Sequence, residues 1–237
     1  MELYIAGGVG EHGRNCFYLQ NGEDAILVDC GLMAGSNDPL PRLTESQIRK
    51  LKAVFLTHSH ADHTGALPWL LRQGYTGPII STTPTLQQLP FIVQNAVALE
   101  QVAPRNEKCN GITWGLSGHC EGSVWLKLDW DGKAILFSGD YTEQSAVYPC
   151  DVLRNQVADL AVLDCAYGHD STLWNDSVTA AAAAVENLLE KAPIVFLPVP
   201  KYGRGLDLLL QIRHRLPYVP LYGDAHFCKQ TEIALVD

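Results

Sequence analysis

The sequence predicts an α/β fold, and three observations carry that expectation. Apolar strand patterns alternate with short helical patterns from residue 1 to about 170. One strand pattern, Ala53-Val54-Phe55-Leu56-Thr57, runs straight into His58-Ser59-His60-Ala61-Asp62-His63-Thr64-Gly65, and α/β sheets gather their chemistry at the C-terminal ends of strands. After a first region spanning 1–174, residues 175–237 open a second α/β unit with helix and strand patterns of their own.

The elements follow in order. Leu3-Tyr4-Ile5-Ala6 reads as a strand ending in the turn Gly7-Gly8, and Cys16-Phe17-Tyr18-Leu19 and Ala25-Ile26-Leu27-Val28 are further strands, the latter ending in Asp29. Residues 35–47, with Gly35, Pro39 and Pro41, read as a loop. Ala66-Leu67-Pro68-Trp69-Leu70-Leu71 is a helix-like run after the histidine cluster, and Pro78-Ile79-Ile80-Ser81 a strand. Leu86–Val102 reads as a helix broken by Pro90 and ended before Pro104. Val124–Leu128 and Ala134–Phe137 flank the hairpin turn signal Asp131-Gly132. Asn175-Asp176-Ser177 is the expected cap of a helix over Val178–Lys191, supported by its alanine run and closed by Pro193. Ile194-Val195-Phe196-Leu197 reads as a buried strand, and Gly205–Arg215 as a second helix with Leu206, Leu209, Leu210 and Ile212 near one side.

Composition bounds the function. A chain of 237 residues with 47% hydrophobic and 18% charged residues buries a sizeable core and excludes disorder. No apolar run reaches the roughly 18 residues needed to span a membrane, and the N-terminus lacks a basic start with an apolar signal core. Seven cysteines without a C-x-x-C pair read as scattered reduced thiols, so a cytoplasmic location is expected. The net charge of −9 is a mild objection to a nuclease; metal-binding carboxylates account for part of it, and net charge says little about one cleft.

The cluster at 58–65 decides the chemistry. Three imidazoles and a carboxylate within six residues suit zinc, with iron or manganese as alternatives. They are too many ligands for one open catalytic ion and imply a two-metal site.

The motif resembles the signature of the metallo-β-lactamase superfamily. Three further segments match in order: the Asp29 strand end, Ser117-Gly118-His119-Cys120-Glu121-Gly122-Ser123, and Phe137-Ser138-Gly139-Asp140-Tyr141. Gly7-Gly8-Val9-Gly10-Glu11-His12-Gly13-Arg14-Asn15 resembles the opening of the β-CASP nuclease branch, which includes RNase J and the pre-mRNA 3′-end cleavage endonuclease. Leu163-Asp164-Cys165-Ala166-Tyr167-Gly168 is similar to that branch's Glu-Ser-Thr-Tyr-Gly motif. The segment Gly203-Arg204-Gly205-Leu206-Asp207-Leu208-Leu209 is similar to Gly-Arg-x-x-Glu-Leu-Leu of its inserted domain, and Val219–Asp224 to the next strand of that insert. The chain departs from the pattern in Asp164 for Glu, Cys165-Ala166 for Ser-Thr, and Asp207 for Glu.

The resemblance implies a metallo-β-lactamase-type αββα sandwich over 1–174 and a partial β-CASP α/β segment over 175–237. It implies that His58, His60 and His119 bind one metal, Asp62 and His63 a second, and Asp140 bridges them, with two zinc ions expected. Asp62, Asp29 and Asp164 would act as catalytic or supporting carboxylates, and Arg14, Lys201 and Arg204 as substrate contacts. Two later histidines of the family pattern would fall beyond Asp237, which implies a C-terminally truncated member. His169 is the best placed replacement ligand, ahead of His214 and His226 in the insert, while His12 faces the cleft in this family. The implied activity is a ribonuclease in RNA processing, acting on single-stranded RNA or, as the alternative, DNA. Two other readings stand beside it: a small-molecule metallo-hydrolase for a thioester, lactone or phosphodiester, and a truncated, catalytically impaired or non-catalytic module whose open insert a homodimer partner would cover.

Overall fold

The computed structural model describes residues 1–234, so Asp237, the end of the expected second segment, lies outside the described residues. The residues group into two compact units. The first comprises Met1–Ser117, Gly122–Tyr141 and Asp151–Ala166; the second comprises Gly118–Glu121, Thr142–Cys150 and the chain from Tyr167 onward.

The strands of the first unit are β1 (Glu2–Gly7), β2 (Cys16–Asn21), β3 (Asp24–Val28), β4 (Leu51–Phe55), β5 (Ile79–Ser81), β6 (Ala96–Ala98), β7 (Ile112–Leu116), β8 (Val124–Trp130), β9 (Lys133–Phe137) and β10 (Leu160–Val162). Its helices are α1 (Glu45–Lys50), α2 (Ala61–Thr64), α3 (Leu67–Arg72), α4 (Thr83–Gln88) and α5 (Leu99–Val102). One sheet runs β1 to β6 in sequence order, antiparallel through β1–β2–β3 and parallel from β3 to β6. The other has the order β10-β9-β8-β7, with β10 parallel to β9 and the rest antiparallel.

Strand alternation explains the layering. Cys16, Tyr18, Leu27, Val54 and Ile79 point to the face covered by Leu67 and Leu70 of α3 and Ile48 of α1. Their neighbours Phe17, Leu19, Val28, Phe55 and Ile80 point the other way and meet Trp114, Leu126, Leu128, Ile135 and Phe137 of the second sheet. A strand buried on both faces reads as a continuous apolar run, which is why these strands were plain in the sequence. The layer order is helix, sheet, sheet. At the β8–β9 turn, Asp131 and Gly132 both have positive φ, 52° and 71°, as a two-residue primed hairpin turn requires.

Two local expectations fail here. The stretch 86–102 is not one helix: α4 ends at Gln88 before Pro90, and the chain re-enters the sheet as β6 before the single turn of α5. Pro90 removes a helical donor, and Val97 pairs with Ile80 of β5 instead. The loop expected over 35–47 holds through residue 44 and fails only at its end, where α1 begins at Glu45 with a capping box formed by Thr44 and Gln47.

The second unit contains α6 (Trp174–Leu189), α7 (Gly205–Arg215) and α8 (Ala225–Ala234). Ala182 and Val185 of α6 pack with Ile212 of α7, joined by Leu189, Leu208, Leu216 and Leu221. Helix α6 starts a turn earlier than expected because a distant group, the Gln144 side-chain oxygen, accepts from Trp174 N–H at 2.7 Å. Helix α7 has the predicted bounds. The expected strands at 194–197 and 219–224 do not form. Pro220 removes a donor from the second, Pro193, Pro198, Pro200 and Pro217 flank the two segments, and no strand pairs with them among the described residues.

Candidate metal centre

The C-terminal end of β4 delivers Thr57, His58, Ser59 and His60, and α2 carries Asp62 and His63. Parallel pairing of β3 with β4 sets Asp29 beside this loop: Asp29 N–H donates to Phe55 O at 2.8 Å. Asp29 occupies the left-handed region at φ 60°, where Asp is tolerated better than most residues. Its buried carboxylate then accepts from Thr57 N–H and Thr57 Oγ1–H, each at 2.8 Å. Asp140 arrives from the end of β9. A Cβ on Gly139 would lie 2.8 Å from Thr57 Cβ, and this residue holds φ 54°, so glycine is what permits Asp140's strand end to approach the histidine strand so closely. His119 lies in the short loop between β7 and β8.

Of the expected ligands, His58, His60, His119 and Asp140 converge, with one donor atom from each all lying within 4.8 Å of one another. His58 Nε2 is 3.1 Å from His60 Nδ1 and 3.8 Å from Asp140 Oδ2. Zinc bonds of about 2.0–2.1 Å at tetrahedral angles put neighbouring donors about 3.3 Å apart, so this donor set fits a divalent ion in chemistry and spacing. His58 and His119 are buried, and His60 and Asp140 half-buried.

A second group adjoins the first. His63 Nε2 lies 3.2 Å from Asp140 Oδ1 and 3.7 Å from Asp62 Oδ2. His63 Nδ1 is 2.8 Å from Asp29 Oδ2. An ionised carboxylate only accepts, so Nδ1 carries the proton and Nε2 is turned toward Asp140 and Asp62. Burial by itself pushes the His63 pKa down; the charges and hydrogen bonds of Asp29 and Asp140 outweigh it and hold the ring well above the ordinary imidazole value. These carboxylates therefore demand positive charge at the place where the donors meet.

Other site residues fall outside this convergence. Asp164 does not bond a histidine: its carboxylate accepts from Tyr141 N–H at 3.3 Å and Ala166 N–H at 2.9 Å, so it steadies the backbone next to Asp140. Arg14 is not displayed to a substrate. It is buried, pairs with Glu11 at 2.6 Å and Asp38 at 3.0 Å, and donates to the Asp38 and Leu40 carbonyls. A long cation in a glycine-rich loop looks like a ligand contact in sequence; here that loop wraps around it. Arg204, in the second unit, lies 5.2 Å from the Tyr167 ring centroid and 5.1 Å from that of Trp174 and bonds the Tyr167 hydroxyl. Lys201 is exposed and sits over Tyr202 at 5.2 Å. His12, His169, His214 and His226 are exposed.

Sequence reasoning missed two residues. Asn15 Nδ2 stands 2.9 Å from His63 Nε2, and Thr57 Oγ1 links Asp29 to both His58 and His63. Their signal was position alone, Thr57 just before the cluster and Asn15 at the end of the glycine-rich opening.

No helix among the described residues is long and apolar enough to cross a membrane, and no disulfide joins the cysteines.

The chain is similar to the transcription termination factor FttA of Methanosarcina mazei, 26% identical over 272 residues that cover 96% of this chain and 42% of that protein. It is similar to Ribonuclease TTHA0252 of Thermus thermophilus, 25% identical over 251 residues, 95% of this chain and 58% of that protein. The FttA of Cenarchaeum symbiosum is 41% identical over 251 residues, 90% of this chain and 39% of that protein. The chain thus spans about half the length of these curated relatives. The metallo-beta-lactamase superfamily model matches residues 9–188, a stretch that holds every strand of the two sheets except β1 and every member of the donor cluster. On that match, and on a fold whose β3, β4 and β9 ends present Asp29, the histidine loop and Asp140, the chain belongs to the metallo-β-lactamase superfamily.

Proposed function

We propose that this chain carries the catalytic centre of a metal-dependent ribonuclease of the β-CASP branch, cleaving phosphodiester bonds of single-stranded RNA. The observation that carries the reading is the convergence of His58, His60, His119 and Asp140 in a superfamily member whose relatives include a bacterial ribonuclease. Residues 1–174 serve as the lactamase-type domain and 175–237 as part of the inserted one. His58, His60 and His119 would hold one divalent ion and Asp62 and His63 another, with Asp140 between them; zinc suits this nitrogen-rich set best. Bound there, divalent ions supply Lewis-acid polarisation of the phosphoryl group and an acidified water.

The chain's own residues do the rest. Asp29 holds the proton of His63 at Nδ1 and leaves Nε2 as a donor atom. Thr57 ties that carboxylate to the loop. Asp140 turns Oδ2 toward His58 and Oδ1 toward His63, the orientation a bridging carboxylate needs. Lys201 and Arg204 are the cations we assign to RNA phosphates, and a guanidinium among aromatic rings also suits base stacking. Reduced thiols suit a cytoplasmic protein.

The test is cleavage of a single-stranded RNA oligonucleotide with and without divalent metal, alongside metal analysis. His60→Ala is expected to abolish cleavage and to lower the metal content per chain. Undiminished cleavage by His60→Ala would sink the mechanism. A second reading, a small-molecule metallo-hydrolase, is favoured by the net charge of −9 and by the engagement of Arg14 within the fold. Turnover of a thioester or lactone with no RNA cleavage would select it.

A further inference from the structure

The Gly203–Asp207 segment, at the start of α7, has no part in the metal chemistry described above, yet both of its ends are committed to other loops of the second unit. Asp207 is a buried carboxylate in the first turn of α7, where the helix N-terminus favours negative charge. Both of its oxygens are committed: Oδ2 accepts from Ser145 Oγ–H at 2.9 Å and Oδ1 from Ala146 N–H at 2.7 Å. Ser145 Oγ in turn accepts from Val147 N–H at 3.2 Å and Tyr148 N–H at 2.9 Å. One carboxylate thereby organises four consecutive residues of the loop that leaves Asp140.

Gly203 holds the other end. The Tyr148 side chain hydrogen-bonds the Gly203 backbone. On the opposite side Gly203 lies against the His119 loop so closely that a Cβ would stand 2.8 Å from the His119 carbonyl oxygen and 3.4 Å from Cys120 Cβ. Its φ of +96° adds a second reason for glycine. A segment of five residues therefore lies against the backbone of His119 and fixes the loop five to eight residues after Asp140.

We infer that Gly203 and Asp207 are positioning residues of the metal centre, holding the His119 loop and the 145–148 loop in register with each other and so setting the backbone that carries the His119 ligand. The inference rests on the reading of His119 as a ligand. It accounts for a Gly-Arg-x-x-acid pattern far along the chain from the histidines, because the pattern braces a ligand loop rather than binding the ion.

The test measures metal binding by the full chain, using zinc and cobalt(II) alone as probes, through competitive chelator titration and the cobalt absorption spectrum. Wild type, His119→Ala, Asp207→Asn, Asp207→Glu and Ser145→Ala are compared, with metal-free melting curves for each. Asp207→Asn is expected to weaken metal binding about 10- to 100-fold and to alter the cobalt spectrum, as loss of a group supporting a ligand does. Asp207→Glu, which keeps the charge, is expected to recover part of the affinity, and Ser145→Ala to give a smaller loss in the same direction. If Asp207→Asn melts outside the native range, Ser145→Ala decides. Folded variants with wild-type affinity and spectrum, whatever their melting temperatures, would overturn the positioning role. Failure of the ligand reading shows separately: wild type and His119→Ala would then bind metal alike, and the positioning role would fall with it.

Discussion

Phe17, Val28, Phe55 and Ile80 in the first unit are buried against Trp114, Leu126 and Phe137. In the second unit Ile194, Phe196, Tyr218 and Tyr222 are equally strand-like residues, yet they stand 65%, 88%, 97% and 94% exposed. Residue type does not separate the two groups; neighbours do. In the first unit each apolar strand has a paired strand on at least one side, so backbone groups and side chains are satisfied together. In the second, prolines punctuate the apolar segments and no strand lies beside them among the described residues. Strand propensity is fitness for a pleated, covered surface, and it yields a strand only where that surface exists.

Two phenylalanines give this comparison its largest measurable contrast. Phe137→Ala removes a ring that packs at 5.7 Å from Phe17 in the inter-sheet core and is expected to cost about 3–5 kcal/mol of unfolding free energy. Phe196→Ala is expected to change stability by no more than about 0.5 kcal/mol. Chemical denaturation of both variants checks it. Equal losses would mean that residues 194–197 are covered in solution and would erase the distinction between the units.

A second contrast lies inside the first unit, between its core and its ligand loop. Asp29→Asn keeps the shape of a buried side chain that Thr57 and His63 share but removes its charge and one acceptor. The expected loss is about 1.5–3 kcal/mol, the range for hydrogen bonds to a charged group, together with weaker metal binding. Denaturation curves and chelator titration measure the two effects. A destabilised variant with unchanged metal affinity would mean that Asp29 serves the strand end alone.

What was legible in the sequence divides along the same physical line. The β strands with apolar runs, the Asp131-Gly132 turn and the bounds of α7 were readable because local pattern and tertiary environment agree there. The four converging side chains were readable because each sits at a glycine-marked or histidine-rich strand end. What escaped reading depended on distant partners: the Gln144 cap on α6, the pairing of β6 with β5, and the Asn15–His63 contact. The two unformed strands escaped for the converse reason, since their residues announce a partner that the described chain does not supply.

The smallest expected effect concerns two arginines that look alike in sequence. Arg204 is stacked on aromatic rings in the second unit, whereas Arg14 is enclosed by Glu11 and Asp38 in the first. The Arg14 hydrogen bond holds the Glu11 carboxyl down at about 2, against roughly 4.3 for an unperturbed Glu. The sign follows from linkage. Between these two values the unfolded chain binds a proton that the folded one does not, so stability rises with pH across that window. The contribution is fully present above about pH 5 and is lost as pH falls toward 2. Glu11→Gln is expected to lower stability at pH 7 by about 1 kcal/mol, the upper range for a partly exposed pair, and to flatten the acid limb of the stability curve between pH 5 and 2. Denaturant titrations of both proteins over that range, at one ionic strength, make the comparison. Parallel acid limbs would mean that the Glu11–Arg14 pair does not hold in solution, and would return Arg14 to the cations available for a phosphate.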